Sequence, residues 1–260
     1  MPEILEVETY RRTAERALRR PIATVHADDD WFLKGGLDRD GVIAALAGRQ
    51  LAGTRRRGKL LLLDVDDGPV LGLRFGMTGR LLVDGAAGID RLEYSSDRDD
   101  PVWDRFGLTF ADGGSLVLRD PRRLGGVELD PAEDRLGPDA WTLGPAALRD
   151  LLGSSTAPLK ARLMDQSRLA GMGNLLTDET LWRAGLAPTR ESGSLDGAEV
   201  RRLHRHLRRT LDELDRRGGS HTGDLQESRQ RGASCPRDGQ PLRRDTVGGR
   251  TTYWCPSHQR

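Results

Sequence analysis

The sequence predicts an α+β protein of two domains: an N-terminal β-sandwich with flanking helices, then a helical domain closed by a small Cys-bearing β-hairpin. Three observations carry this. Eight short apolar runs between residues 22 and 129 are separated by turn clusters such as Asp66-Asp67-Gly68-Pro69 and Asp112-Gly113-Gly114. After about residue 131 the apolar residues take up helical spacing instead. Finally, the two cysteines, Cys235 and Cys255, lie together in the last stretch of chain.

In order, residues 6–20 predict a helix, with Val7, Tyr10, Ala14, Ala17 and Leu18 on one face and arginines on the other. Strands are predicted at 22–26, 51–55, 60–65, 69–75, 79–83, 105–110, 115–119 and 126–129, many short strands at near-regular spacing that suit a sandwich or barrel. Asp38 is placed to cap a short helix over Val42 to Leu46. Beyond a Pro- and Gly-marked linker, helices are predicted at about 145–152, 158–165, 174–184 and 196–216. The last carries Val200, Leu203, Leu207, Leu211 and Leu214 on one side and arginines on the other. Residues 217–234 are polar and loop-like. The expected division is 1–130, 131–234 and 235–260.

Composition narrows the function classes. No apolar run approaches the roughly 20 residues that span a bilayer, and the N-terminus carries Glu3, Glu6 and Glu8 where a signal peptide is basic and then apolar. A cytoplasmic protein without a membrane partner is expected. The net charge of +1 conceals an asymmetry: residues 1–153 hold 22 Lys/Arg against 27 Asp/Glu, whereas 154–260 hold 19 against 13. A basic C-terminal half fits an anionic partner, and equally fits a helical region with a solvated arginine face. Two cysteines do not make a disulfide framework, so a metal site is the better expectation for them.

The chemistry begins at Met1-Pro2-Glu3. Removal of the initiator methionine would expose Pro2 as a secondary amine. An α-amino group has a reference pKa of about 7.7–8.0, so on the order of a tenth is neutral and nucleophilic near pH 7. Such an amine can attack a sugar C1′ and form an iminium, which acidifies C2′–H and permits β-elimination of the 3′-phosphate. Glu3 is placed to protonate the ring oxygen, and Glu6 is a second group for proton transfer. An ordinary helix entry explains the same three residues, so this start is weak by itself.

The start Pro2-Glu3-Ile4-Leu5-Glu6-Val7-Glu8-Thr9 resembles the N-terminus of the formamidopyrimidine-DNA glycosylase / endonuclease VIII family, with Leu5 where that family usually has proline. The similarity continues in order through Arg57-Gly58-Lys59-Leu60, Phe75-Gly76-Met77-Thr78-Gly79, Asp120-Pro121-Arg122-Arg123-Leu124-Gly125, Leu163-Met164-Asp165-Gln166, Leu169-Ala170-Gly171-Met172-Gly173-Asn174 and Gly248-Gly249-Arg250-Thr251. The resemblance runs nearly end to end. It implies a sandwich followed by a helix-two-turn-helix domain with a zinc finger, acting as a monomer on damaged double-stranded DNA. It implies a bifunctional glycosylase and abasic-site lyase of base-excision repair, working through a Schiff base on Pro2.

By this resemblance Lys59 joins Pro2, Glu3 and Glu6 in the active site. Asn174 and Arg250 contact the DNA backbone, the former where a helix start favours phosphate and the latter at a hairpin tip. An enzyme acting on a base in a duplex must extrude the nucleotide and fill the gap. The resemblance gives that task to Met77, Arg122 and Leu124, an apolar wedge with a hydrogen-bonding cation. Leu124 stands where the family often has phenylalanine, so recognition of the opposite base is expected to differ.

In the tail, Cys235-Pro-Arg-Asp238 is separated by sixteen residues from Cys255-Pro-Ser-His258, the spacing of a two-knuckle zinc ribbon. The family's usual ligands are four cysteines; here Asp238 and His258 stand in two of those places. One structural Zn2+ is favoured, and a ribbon without metal, held by Tyr253 and Trp254, is the other reading. Residues 217–234 are short where the 8-oxoguanine-specific branch carries a longer loop over the flipped base. Abasic sites, oxidised pyrimidines and ring-opened purines are therefore the expected lesions. The competing reading is a non-catalytic damage- or abasic-site-binding protein on the same scaffold.

Overall fold

The computed structural model describes residues 2–89, 92 and 100–260 of the chain. These form two compact units, Met1–Glu133 and Asp134–Arg260, and the 235–260 hairpin lies within the second.

The first unit opens with α1 (Ile4–Ala14), which buries Ile4, Leu5, Val7, Tyr10 and Ala14 and ends with arginines. It starts two residues before the sequence-based expectation and stops earlier. The chain tightens into a 3-10 turn at Glu15–Ala17, then Arg19 takes a left-handed backbone (φ 59°). Pro21 disfavours helical geometry in the residue before it, so the helix cannot run on to residue 20. β1 (Ile22–His26) follows. α2 (Arg39–Leu46) is capped by Asp38, whose Oδ1 accepts from Gly41 N at 2.7 Å.

The remaining strands are β2 (Leu51–Arg57), β3 (Leu60–Val65), β4 (Val70–Arg74), β5 (Arg80–Val83), β6 (Ala86–Ala87), β7 (Asp104–Phe110), β8 (Ser115–Arg119) and β9 (Gly126–Leu129). They pair antiparallel in two sheets, β1-β7-β8-β5-β6 and β2-β3-β4-β9. Alternate residues of each sheet meet in one core: Leu61, Leu63, Leu71 and Leu73 from one, and Leu81, Val83, Phe106, Leu108, Leu116 and Leu118 from the other. Tyr10 and Phe32 complete it. The sandwich expected from the sequence is present; β6, only two residues long, is the strand its pattern did not announce.

The second unit contains α3 (Pro145–Leu152), α4 (Leu159–Met164), α5 (Asn174–Ala184), α6 (Gly197–Arg217) and the hairpin β10 (Arg243–Val247) and β11 (Arg250–Trp254). α6 buries its five predicted apolar residues and carries a capping box, Asp196 with Glu199, at its start. Left-handed Gly218 ends it. α5 is enclosed: every residue from Leu175 to Ala184 is buried, and α4, α6 and β11 pack against it. No helix among the described residues is long and apolar enough to cross a membrane.

Candidate active site and nucleic-acid interface

In the first unit Pro2, Glu3 and Glu6 are buried at the head of α1. Glu3 is the N-cap. Glu6 Oε2 accepts from Glu3 N at 2.8 Å, and the Glu3 side chain turns to the Glu6 backbone in a reciprocal box. The positive end of a helix dipole favours carboxylates here. Met1, whose removal the N-terminal chemistry requires, lies outside the described residues. One turn along, burial raises the Tyr10 phenol far above its ordinary value, with the Glu6 charge adding to the effect. Tyr10 therefore stays a neutral donor, to Gly79 O at 3.1 Å.

Lys59 is half-buried in the two-residue turn between β2 and β3. Its neighbour Gly58 has φ 57°, the positive value that a tight hairpin requires at its first central residue. Arg56 braces this tip. Its Nη1 donates to Gly58 O (3.1 Å) and its Nε to Glu8 Oε2 (3.1 Å), while Glu8 also holds Arg11 (2.9 Å). The turn bearing Lys59 is thus tied to α1, the helix that Pro2 and Glu3 open.

Met77, Arg122 and Leu124 sit on two loops that touch. Leu124 is 51% exposed although apolar, Arg122 is exposed, and Arg122 Nη1 lies 3.4 Å from Met77 Sδ. The loops are fastened by a residue to which sequence reasoning gave no role. Asp120 is fully buried. Its Oδ1 accepts from Thr78 Oγ1 (2.6 Å) and Arg122 N (3.2 Å), and its Oδ2 from Leu124 N (2.9 Å) and Gly125 N (2.8 Å). Gly76, with φ 56°, lies so close to the other loop that a Cβ there would stand 2.4 Å from the Leu124 carbonyl carbon. Asp120, Thr78 and Gly76 all lay inside the quoted motifs; only their contacts were hidden.

In the second unit Asn174 is the first residue of α5, after the N-cap Gly173. Its Nδ2 donates to Thr251 O at 3.1 Å, and its Oδ1 is buried without a hydrogen-bond partner among the described residues. Arg250 is exposed at the tip of the β10–β11 hairpin, where Gly248 (φ 58°) and Gly249 (φ 71°) form the turn. A Cβ on Gly248 would stand 3.0 Å from Ala161 Cβ. The Asn174–Thr251 bond therefore links the start of α5 to the residue after Arg250.

Cys235, Asp238, Cys255 and His258 converge, their ligand atoms all within 4.8 Å of one another. His258 Nδ1 lies 3.0 Å from Asp238 Oδ2 and 3.8 Å from Cys235 Sγ, and Cys255 Sγ lies 3.3 Å from Asp238 Oδ2. With bonds of about 2.0–2.3 Å, the corners of a tetrahedral zinc site lie roughly 3.3–3.8 Å apart, so these donors fit such an ion in type and spacing. Trp182 supports two of them: its indole N–H donates to Cys235 Sγ (3.3 Å), and its carbonyl lies 3.3 Å from His258 Nε2. A proton on Nε2 leaves Nδ1 as the donor atom. When Nδ1 carries the proton instead, its hydrogen bond holds the Asp238 carboxyl well below the usual carboxylate range, and burial pushes the Cys255 thiol up.

The polar segment 217–234 is fastened down. Glu179 Oε1 and Oε2 accept from Asp224 N (3.0 Å) and Leu225 N (2.9 Å), Arg217 pairs with Asp224 (2.8 Å), and Leu225 is buried against Trp182 and both cysteines.

Residues 1–127 match the model of the formamidopyrimidine-DNA glycosylase N-terminal domain, and residues 136–224 match that of the formamidopyrimidine-DNA glycosylase H2TH domain. The chain belongs to the formamidopyrimidine-DNA glycosylase family. It is 33% identical to the formamidopyrimidine-DNA glycosylase of Rhodopseudomonas palustris and 32% identical to that of Geobacillus kaustophilus, over the whole of each chain. Among solved structures it resembles Lactococcus lactis Fpg in complex with abasic-site DNA, at TM-score 0.83 and 26% identity across all of both chains. The same protein bound to Fapy-dG-containing DNA gives TM-score 0.83 at 27% identity, over 99% of this chain and all of that one.

Proposed function

We propose that the chain is a bifunctional DNA glycosylase and abasic-site lyase of base-excision repair, with Pro2 as nucleophile. Family membership makes it a DNA glycosylase of DNA repair. The single observation that carries the finer reading is the head of α1, where Pro2 is followed by two buried carboxylates, Glu3 and Glu6, locked to each other. In this reading the Pro2 nitrogen attacks C1′, the bond from C1′ to the base breaks, and the departing base takes up the proton that the Pro2 nitrogen loses. Glu3 delivers a proton to the ring oxygen as the sugar opens to an iminium. Loss of a C2′ proton then expels the 3′-phosphate by breaking the C3′–O bond. Glu6, whose carboxylate holds the Glu3 amide, fixes the position of this start. Lys59, a cation on a braced turn, holds a phosphate.

Residues 1–130 carry the chemistry, while Met77, Arg122 and Leu124 fill the gap left by the extruded nucleotide. In 131–234 and 235–260, Asn174 and Arg250 hold the DNA backbone. Cys235, Asp238, Cys255 and His258 hold one structural Zn2+, which stabilises the hairpin when bound. The relative crystallised with abasic-site and Fapy-dG DNA supports a damaged-DNA substrate. The pinned, short 217–234 segment supports abasic sites, oxidised pyrimidines and ring-opened purines over strict 8-oxoguanine specificity.

Borohydride trapping on a duplex with one abasic site, followed by mass spectrometry of the cross-linked peptide, tests this. A cross-link at Pro2, lost in Pro2→Gly while DNA affinity survives, is expected. No cross-link from protein lacking Met1, with DNA binding intact, would make the chain a damage-binding protein instead.

A further inference from the structure

We propose that Asp120 is a positioning residue for gap filling: one buried carboxylate holds the loop carrying Met77 and the loop carrying Arg122 and Leu124 as a single rigid wedge. This rests on the reading of those three side chains as the gap fillers.

A carboxylate with no exposed surface is costly unless its lone pairs are used. Asp120 uses both oxygens, and the four donors come from both loops. Three are backbone amides of residues 122, 124 and 125, which fold the second loop around the carboxylate. The fourth, Thr78 Oγ1 at 2.6 Å, belongs to the residue next to Met77. Close backbone packing at Gly76 leaves no slack between the loops, since a single added carbon would collide with Leu124. From outside, Arg105 Nε donates to Asp120 O (3.0 Å), and Asp29 pairs with Arg123 (2.8 Å). The arrangement spends a buried charge on backbone geometry and leaves Leu124 and Arg122 exposed. That is what a wedge needs: an apolar tip entering a base stack must not recoil into its own loop.

Asp120→Asn keeps the shape but replaces one acceptor oxygen with a donor that faces amide N–H groups. Thr78→Val is milder, removing only the bond that joins the loops. The experiment compares borohydride trapping at an abasic site in a duplex with trapping on the same strand alone, where no opposite base needs a partner. Asp120→Asn is expected to slow the duplex reaction at least tenfold and the single-strand reaction less than threefold. Thr78→Val should shift the same ratio by a smaller factor. A 2-aminopurine opposite the abasic site gives a second readout that needs no chemistry. Its fluorescence should change when the unmodified protein binds, and this change should shrink in both variants. Equal losses on both substrates, or an unchanged duplex rate, would overturn the proposal. If the unmodified protein traps nothing on either substrate, the Pro2 mechanism fails while the fluorescence comparison still decides the role of Asp120. No fluorescence change with the unmodified protein would remove the wedge and the proposal with it.

Discussion

Lys160 has no exposed surface, yet its ammonium is fully used: Nζ lies 2.7 Å from Asp178 Oδ1, 2.7 Å from Thr252 Oγ1 and 3.2 Å from Thr251 O. Those contacts join α4, α5 and β11, and Thr251 is also the acceptor for Asn174. Removing one member of a buried pair leaves an under-compensated charge and typically costs about 3–5 kcal/mol. Asp178 keeps Arg229 as a second partner, so Lys160→Met should fall at the lower end, about 3 kcal/mol. Native-state hydrogen exchange of α4 and α5 amides would measure it; a loss below about 1 kcal/mol would mean that packing alone holds the junction. At this scale the sequence was uneven. Lys59, Arg122 and Arg250 could be proposed because each falls inside a motif that resembles the family's. Asp120 and Lys160 could not, because their partners are backbone groups or residues distant in sequence, invisible to any local pattern.

Elements were legible in proportion to how one-sided their environment is. α6 has one wet face, and its leucine periodicity placed it to within a residue at each end. The first helix, 6–20 by periodicity, stops at Ala14 in the structure and gives way to a 3-10 turn; left-handed Arg19 and Pro21 bar a helix from reaching residue 20, whatever the apolar pattern that continues to Leu18. α5 buries Thr177, Asp178, Glu179, Thr180 and Arg183 as well as its leucines, so sequence showed its extent but not its enclosure. The β10–β11 hairpin shows the same limit. Cysteine spacing predicted the four-residue cluster, whereas support from Trp182 depends on α5 lying against it. With zinc bound through those four side chains, a strong chelator should abolish amide protection in residues 235–260, while exchange in the β-sandwich stays unchanged. Asp238→Ala should reach the same state at a lower chelator concentration. Protection that persists after one equivalent of zinc has been removed would instead assign the hairpin's stability to its apolar cluster of Trp182, Leu225, Leu242 and the cysteines.

Over the whole chain a net charge of +1 is the sum of unlike parts: Met1–Glu133 carries 20 Lys/Arg against 24 Asp/Glu, and Asp134–Arg260 carries 21 against 16. Many of these charges are already paired within the fold. Arg183 is held by Glu179, Glu213 and Asp224, and Arg190 by Glu199. Arg20 is held by Asp84 and Asp112. Raw charge counts therefore overstate what is available to a phosphate backbone. The cations proposed for DNA are few, so affinity should depend on salt with a modest slope set by the phosphates they neutralise, roughly −0.9 per contact in log K against log salt for duplex DNA. Arg250, exposed at a hairpin tip, is the cleanest member to remove. Arg250→Ala should lower the magnitude of that slope by about 1 and weaken binding to damaged and undamaged duplexes by similar factors, because a phosphate contact carries no sequence or lesion information. Fluorescence anisotropy titrations from low to physiological salt, on matched damaged and undamaged duplexes, measure both quantities. An unchanged slope would take Arg250 off the phosphate backbone. A loss confined to damaged DNA would instead make it a reader of the lesion.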